Sequence, residues 1–146
     1  MSANLNVVDY EQGSYEWLAA RKTKITATDA SVILGINPWK TPLQLYNEKI
    51  SPVTFDEPNS AMQRGLDLEP IARDLFNMKT GWNMQPVVIV KDWLMASLDG
   101  QDADSGSIVE IKCPGASDHA IAVNGKIPDH YYPQLQHQMC VAGVRL

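Results

Sequence analysis

Ser107-Ile108-Val109-Glu110-Ile111-Lys112-Cys113, followed by Pro114-Gly115, is the stretch on which the fold turns. Its β-branched residues favour an extended chain and the Pro-Gly pair ends it, so the spacing predicts a strand over 107–113. Alternate residues of a strand share a face, which points Glu110 and Lys112 the same way. Burying two unlike charges is costly unless they pair or hold a metal. Upstream, the apolar runs Pro86–Val90 and Trp93–Ala96 flank Lys91-Asp92 and read as a hairpin, with Asp99-Gly100 just beyond its second strand. Asp99 and Glu110 would then meet at neighbouring strand ends. Two carboxylates bind a hard cation there while the lysine orients or activates a water, the equipment of a phosphodiester-cleaving enzyme. The competing reading is a solvated edge strand whose charges merely pair.

Outward from this stretch, the sequence is helical on both sides. Ser14 caps Tyr15 to Arg21, Thr26-Ala27-Thr28-Asp29 opens Ala30 to Leu34 before Gly35, and Thr41-Pro42 starts Leu43 to Lys49. From Asn59 to Lys79, Ala61, Gly65, Leu68, Ala72, Leu75 and Phe76 recur at three- and four-residue steps and predict one buried face. Pro70 predicts a kink beside Glu69, whose plain reading is an ion pair with Arg73 four positions on. After the strands, Asp118 to Asn124 predicts a short helix. Pro128-Asp129 opens a longer one through Cys140 to Gly143, carrying Tyr131, Gln134 and Gln138 as a polar stripe.

Composition narrows the class. At 146 residues, 45% hydrophobic and 20% charged, the chain reads as one domain over 1–146 with enough apolar residues for a core. No apolar run approaches membrane-spanning length, and Met1–Tyr10 lacks the pattern of a secretion signal, which predicts a cytoplasmic protein without a membrane partner. The two cysteines, Cys113 and Cys140, are expected as free buried thiols. The three histidines are read as structural, His119 in a loop, His130 at a helix start and His137 on a helix face. A net charge of −5 argues against a nonspecific DNA-coating protein but leaves room for a nuclease, whose own carboxylates supply part of that charge. Arg21, Lys22 and Lys24 are the densest basic cluster, read in isolation as a solvated helix end.

The ordered series then resembles the lambda-type, YqaJ-like alkaline exonucleases of phage recombination, within the PD-(D/E)XK nuclease superfamily. It runs through Trp17, Arg21, Ile25-Thr26-Ala27-Thr28-Asp29, Gly35-Ile36-Asn37-Pro38, Met62, Gly65, Glu69, Ala72 and Arg73. It continues with Ala96-Ser97-Leu98-Asp99-Gly100, Glu110-Ile111-Lys112-Cys113-Pro114, and Ile127-Pro128 leading to Tyr131-Tyr132-Pro133-Gln134-Leu135-Gln136. The resemblance implies an α/β fold, a central mixed sheet flanked by helices with a restriction-endonuclease-like core. It implies a divalent ion, magnesium with manganese as substitute, on Asp99, Glu110, the Ile111 carbonyl and Glu69. Lys112 would position or deprotonate the attacking water, Gln134 and Tyr131 would support the site, and Arg21 with Thr28 would bind a terminal 5′ phosphate. Activity would be 5′-to-3′ digestion of one strand of duplex DNA, leaving 3′ single-stranded tails for an annealing protein, by a homotrimeric ring.

Three departures stand out. Thr28 replaces the family's serine, Leu98 replaces a common proline before Asp-Gly, and relatives continue with further strand and helix past the point where Arg145-Leu146 ends this sequence. The competing functions are a related metal-dependent endonuclease or nickase, and a truncated, catalytically inactive DNA-end-binding protein.

Overall fold

The computed structural model describes residues 6–145; Met1–Leu5 and Leu146, and so part of the segment read for a secretion signal, lie outside them. Along the chain run β1 (Asn6–Val8), α1 (Tyr15–Thr23), β2 (Ile25–Thr26), α2 (Asp29–Ile33), α3 (Pro42–Ile50), α4 (Ser60–Thr80), β3 (Met84–Lys91), β4 (Leu94–Asp102), β5 (Ile108–Val109), α5 (Ala116–Val123) and α6 (Tyr132–Ala142). The strands form one mixed sheet in the order β1-β3-β4-β2, with β5 also on β4. All pairings are antiparallel except β2 with β4. This is the expected mixed sheet with flanking helices.

The hairpin of β3 and β4 is the spine. Its turn places Asp92 at φ 53, a left-handed conformation that aspartate tolerates. Pro86, which cannot donate to a ladder, sits where the β3–β4 register shifts between Gln85 and Val87. Since β3 occupies one edge of β4, β2 and β5 share the other, β2 at Leu94 and Met95 and β5 at Gly100 and Gln101. Ala96 and Leu98 of β4 join Ile89 of β3 beneath Val141 and Ala142 of α6 in the core. Burying Ile89, Leu98 or Val141 stabilises the fold by about 1.5–3 kcal/mol each. By alternation, Ser97 and Asp99 face the opposite way.

Gly100 is required by close approach: a Cβ there would lie 2.8 Å from both Met84 Cβ and Val109 Cγ1. Caps fix the helix ends. Ser14 Oγ accepts from the Trp17 amide at 3.2 Å, Thr41 and Gln44 form a reciprocal capping box, and Gly143 ends α6 at φ 72.

Several expectations are corrected. The predicted strand over 107–113 pairs only at Ile108–Val109, because Glu110 onward leaves the ladder to meet α6. Asp99 lies inside β4 rather than past it. The short strands β1 and β2 gave no sequence signal. Helix α4 runs as one element through Pro70 and has no buried residue; of its predicted face Gly65, Ala72 and Phe76 are half-buried, while Ala61, Leu68 and Leu75 are exposed. Helix α6 begins at Tyr132, with Tyr131 as its cap residue instead of its body. His119 sits in α5, not a loop. Both cysteines are free as expected but not buried, Cys113 being half-buried and Cys140 exposed.

Candidate active site

Leaving β5, the chain carries Glu110 under α6, and the glutamines one helical turn apart close on it. Gln134 Nε2 donates to Glu110 Oε1 and Gln138 Nε2 to Oε2, each at 2.6 Å. Lys112 Nζ donates to the same Oε1 at 2.5 Å and to Gln134 Oε1 at 3.0 Å. Glu110 is thus held on both oxygens, its side chain only 7% exposed. Charged hydrogen bonds of this kind are the strong ones, and they fix the carboxylate's orientation.

Beside it, Asp99 Oδ2 accepts the Ile111 amide at 2.7 Å, which ties β4 to the segment after β5. Burial, then the charge of Glu110, with Glu69 adding less, push the Asp99 carboxyl up to about 7; the Ile111 amide and Lys112 pull the other way. Glu69 lies on α4. Arg73 Nη1 donates to Glu69 Oε1 at 2.9 Å and to the Asp99 carbonyl at 2.6 Å, pinning that helix to β4. The i,i+4 pair read for Glu69 is therefore present, and the same guanidinium ties it to the backbone of β4 at Asp99.

Tyr131 makes no hydrogen bond to Glu110, whose oxygens are taken by Gln134, Gln138 and Lys112. Its ring lies 5.2 Å from Lys112 Nζ, and partial burial and Asp118 push its hydroxyl's pKa up. His130 Nε2 is 3.2 Å from Asp118 Oδ2 but too poorly aligned to count as hydrogen-bonded. His137 bonds the Met95 carbonyl at 3.1 Å, and burial lowers its pKa, in keeping with a structural role.

The second group forms around α1. Arg21 Nη2 donates to Thr28 Oγ1 at 3.2 Å, and its guanidinium carbon lies 4.4 Å from the Trp17 ring. Burial lowers the Arg21 pKa, opposed by Asp29 and Glu48. The buried Asp29 accepts the Thr26 amide at 2.8 Å and meets Lys49 Nζ at 2.7 Å. Lys22 and Lys24 spend their ammonium groups on the carbonyls of Glu48 and Asp92. Trp17 Nε1 donates to Ser97 Oγ at 2.9 Å, so the Arg21 group stands on β4 two residues from Asp99.

Among the described residues no three Asp, Glu, His or Cys side chains stand at metal-liganding separation. The donors that could take a cation are two carboxylates and a backbone oxygen: Asp99, Glu110 and the Ile111 carbonyl. Hard oxygen donors, and an aspartate whose charge is disfavoured by burial and by Glu110, fit a divalent ion. Two participants escaped assignment from sequence. Gln138 was visible in the stripe, by its spacing from Gln134, but given no role; Arg73 appeared as the partner of Glu69 and in the family series, with no role of its own.

Residues 16–145 match the YqaJ-like viral recombinase domain. The chain belongs to this family. A YqaJ-family relative, the uncharacterised protein YqaJ of Bacillus subtilis (strain 168), is 31% identical over 139 residues, covering 91% of this chain and 44% of that protein. The chain therefore spans less than half of that relative's length. The crystal structure of LHK-Exo in complex with dAMP superposes with a TM-score of 0.72 at 31% identity, over 90% of this chain and 70% of that one. An alkaline exonuclease, LHK-Exo from Laribacter hongkongensis, gives 0.69 at 30% identity with the same coverages. The YqaJ-like fold here is that of the alkaline exonucleases, a mixed sheet with flanking helices.

Proposed function

We propose that this chain is the catalytic part of a metal-dependent 5′-to-3′ exonuclease acting on duplex DNA ends in recombination. The observation that carries the reading is the Glu110 carboxylate, clamped by Gln134, Gln138 and Lys112 beside the raised-pKa Asp99. Family membership and the likeness to alkaline exonucleases support it.

Magnesium, with manganese as substitute, would be held by Asp99, Glu110 and the Ile111 carbonyl with Glu69 nearby, and would supply a more acidic water and charge stabilisation at the departing 3′ oxygen. Lys112, fixed between Glu110 and Gln134, orients the attacking water. The water oxygen bonds to phosphorus, the P–O3′ bond breaks, and the strand left behind carries a new 5′ phosphate. Arg21 and Thr28 receive that phosphate, the planar guanidinium suiting it and the hydroxyl donating. Each cut thus regenerates the group that the next cycle binds. Under this reading the products are 3′ single-stranded tails for an annealing protein, the assembly is a homotrimeric ring on DNA, and the compartment is the cytoplasm. No described helix is long and apolar enough to cross a membrane.

The test is nucleotide release from linear duplex DNA bearing a 5′ phosphate on one strand, in magnesium or EDTA, for the chain and Lys112→Ala. Magnesium-dependent loss of the phosphorylated strand, abolished by the substitution, is expected. Cleavage of closed circles would favour the endonuclease or nickase. DNA binding without any cleavage would favour the end-binding form.

A further inference from the structure

Trp39 is 70% exposed, yet its position is fixed from two sides. Asn37 Oδ1 accepts from the amides of both Trp39 and Lys40 at 2.9 Å, and Asn37 Nδ2 donates to Oγ of the buried Ser31 at 3.0 Å. The backbone on either side of the indole is thereby anchored to α2. The ring itself meets His130 edge-on, with centroids 5.1 Å apart at 85°. His130 in turn lies 4.2 Å from the Tyr131 ring, and Tyr131 lies 5.2 Å from Lys112 Nζ. A rigidly presented indole, open to solvent, therefore stands at the end of a short aromatic row that starts at the lysine of the candidate active site.

A lone exposed tryptophan needs no explanation. One held by an Asx turn and a histidine edge, and linked through His130 and Tyr131 to a hydrolytic site, does. Its ordering forgoes side-chain freedom without the return of burial. A flat π face suits a flat π partner, and next to a phosphodiester-cleaving centre that partner is a nucleobase, which every nucleotide offers regardless of sequence. The chain's net charge of −5 adds a reason, since stacking holds a strand without drawing on phosphate neutralisation.

We infer that Trp39 is a stacking platform for an unpaired base of the DNA end, gripping the strand beside the Lys112 site; this rests on the nuclease reading proposed above. Stacking of one base on an aromatic side chain amounts to roughly a 5- to 150-fold difference in affinity.

The experiment compares wild type, Trp39→Ala and Trp39→Phe, in EDTA, binding short duplexes whose 5′ end is either fully paired or unpaired over its last nucleotides, with 2-aminopurine among the unpaired bases. Trp39→Ala is expected to weaken binding of the unpaired end within that range and to relieve 2-aminopurine quenching, with Trp39→Phe in between. The loss should persist at high salt, unlike losses at phosphate contacts. Because the ring is exposed, thermal melting should be unchanged, which separates a binding defect from a folding one. Equal affinity and quenching for wild type and Trp39→Ala on unpaired ends overturns the platform. Cleavage of the same DNA by wild type in magnesium is read alongside: cleavage with no Trp39 effect sinks the platform alone, whereas neither binding nor cleavage by folded wild type sinks the nuclease reading and the platform with it.

Discussion

The Trp17 indole donates to Ser97 Oγ at 2.9 Å across 80 residues of sequence, and Ser97 is two positions before Asp99 on the same face of β4. Arg21 rests on that indole, so the arginine and the aspartate are referenced to one strand. Trp17→Phe keeps the ring and removes the donor. It is expected to lower stability by about 1 kcal/mol, the net worth of a hydrogen bond, and to reduce the preference for 5′-phosphorylated over 5′-hydroxyl ends. Denaturant melts and paired digestion rates check the two effects separately.

Arg21→Lys should be a poor rescue of Arg21→Ala. A point charge can replace neither the contact with Thr28 nor the planar stacking on Trp17. Both variants should lose most discrimination for the 5′ phosphate, measured as the ratio of rates on phosphorylated and unphosphorylated ends.

The metal-free protein should lose stability as pH rises. Asp99 has its carboxyl raised from 3.8 to about 7 in the folded state, so folding favours the protonated form. The sign follows: that contribution is fully present below the unfolded pKa and disappears as pH climbs through about 7. The swing is on the order of 4 kcal/mol. Asp99→Asn should flatten the profile. Thermal melts from acid to neutral pH, in EDTA and in magnesium, should show the ion's stabilising effect growing as the carboxyl ionises.

Gln138→Ala removes a nearly fully buried donor and leaves Glu110 Oε2 without its partner. The expected cost is about 1–3 kcal/mol of stability together with weaker divalent-ion binding. Metal titration followed by thermal shift tests this, with the variant needing more magnesium for the same shift.

Gly100→Ala should destabilise by about 1–3 kcal/mol, because its methyl would meet Met84 Cβ and Val109 Cγ1 at 2.8 Å, and β-strand neighbours have little room to retreat. A urea melt suffices to test it.

Local signals carried most of the element order. Ser14, Thr41-Pro42, Asn59 and Gly143 mark helix ends because capping is decided within a few residues. The hairpin was legible from its apolar runs. The two-residue strand β2 was not, since its pairing depends on β4 rather than on its own sequence; β5 was read as a strand, but its early end at Val109 was not. The exposed face of α4 escaped too: periodicity reports which residues share a side, not whether anything covers it. In the site, Glu110, Lys112 and Gln134 were indicated by spacing and resemblance together. Gln138, Arg73 and the Trp17–Ser97 bond depend on how α6, α4 and α1 lie across β4, which tertiary packing alone decides.

One edge of β4 is shared by β2, near its start, and β5, near its end. The rise between Met95 and Gly100 is about 3.3 Å per residue, and no loop interrupts it. Adding or deleting one residue there would also turn Asp99 to the opposite face. Descendants of this chain are thus held to one length of β4: insertions and deletions must be absorbed elsewhere, in the hairpin turn or the segment between β4 and β5.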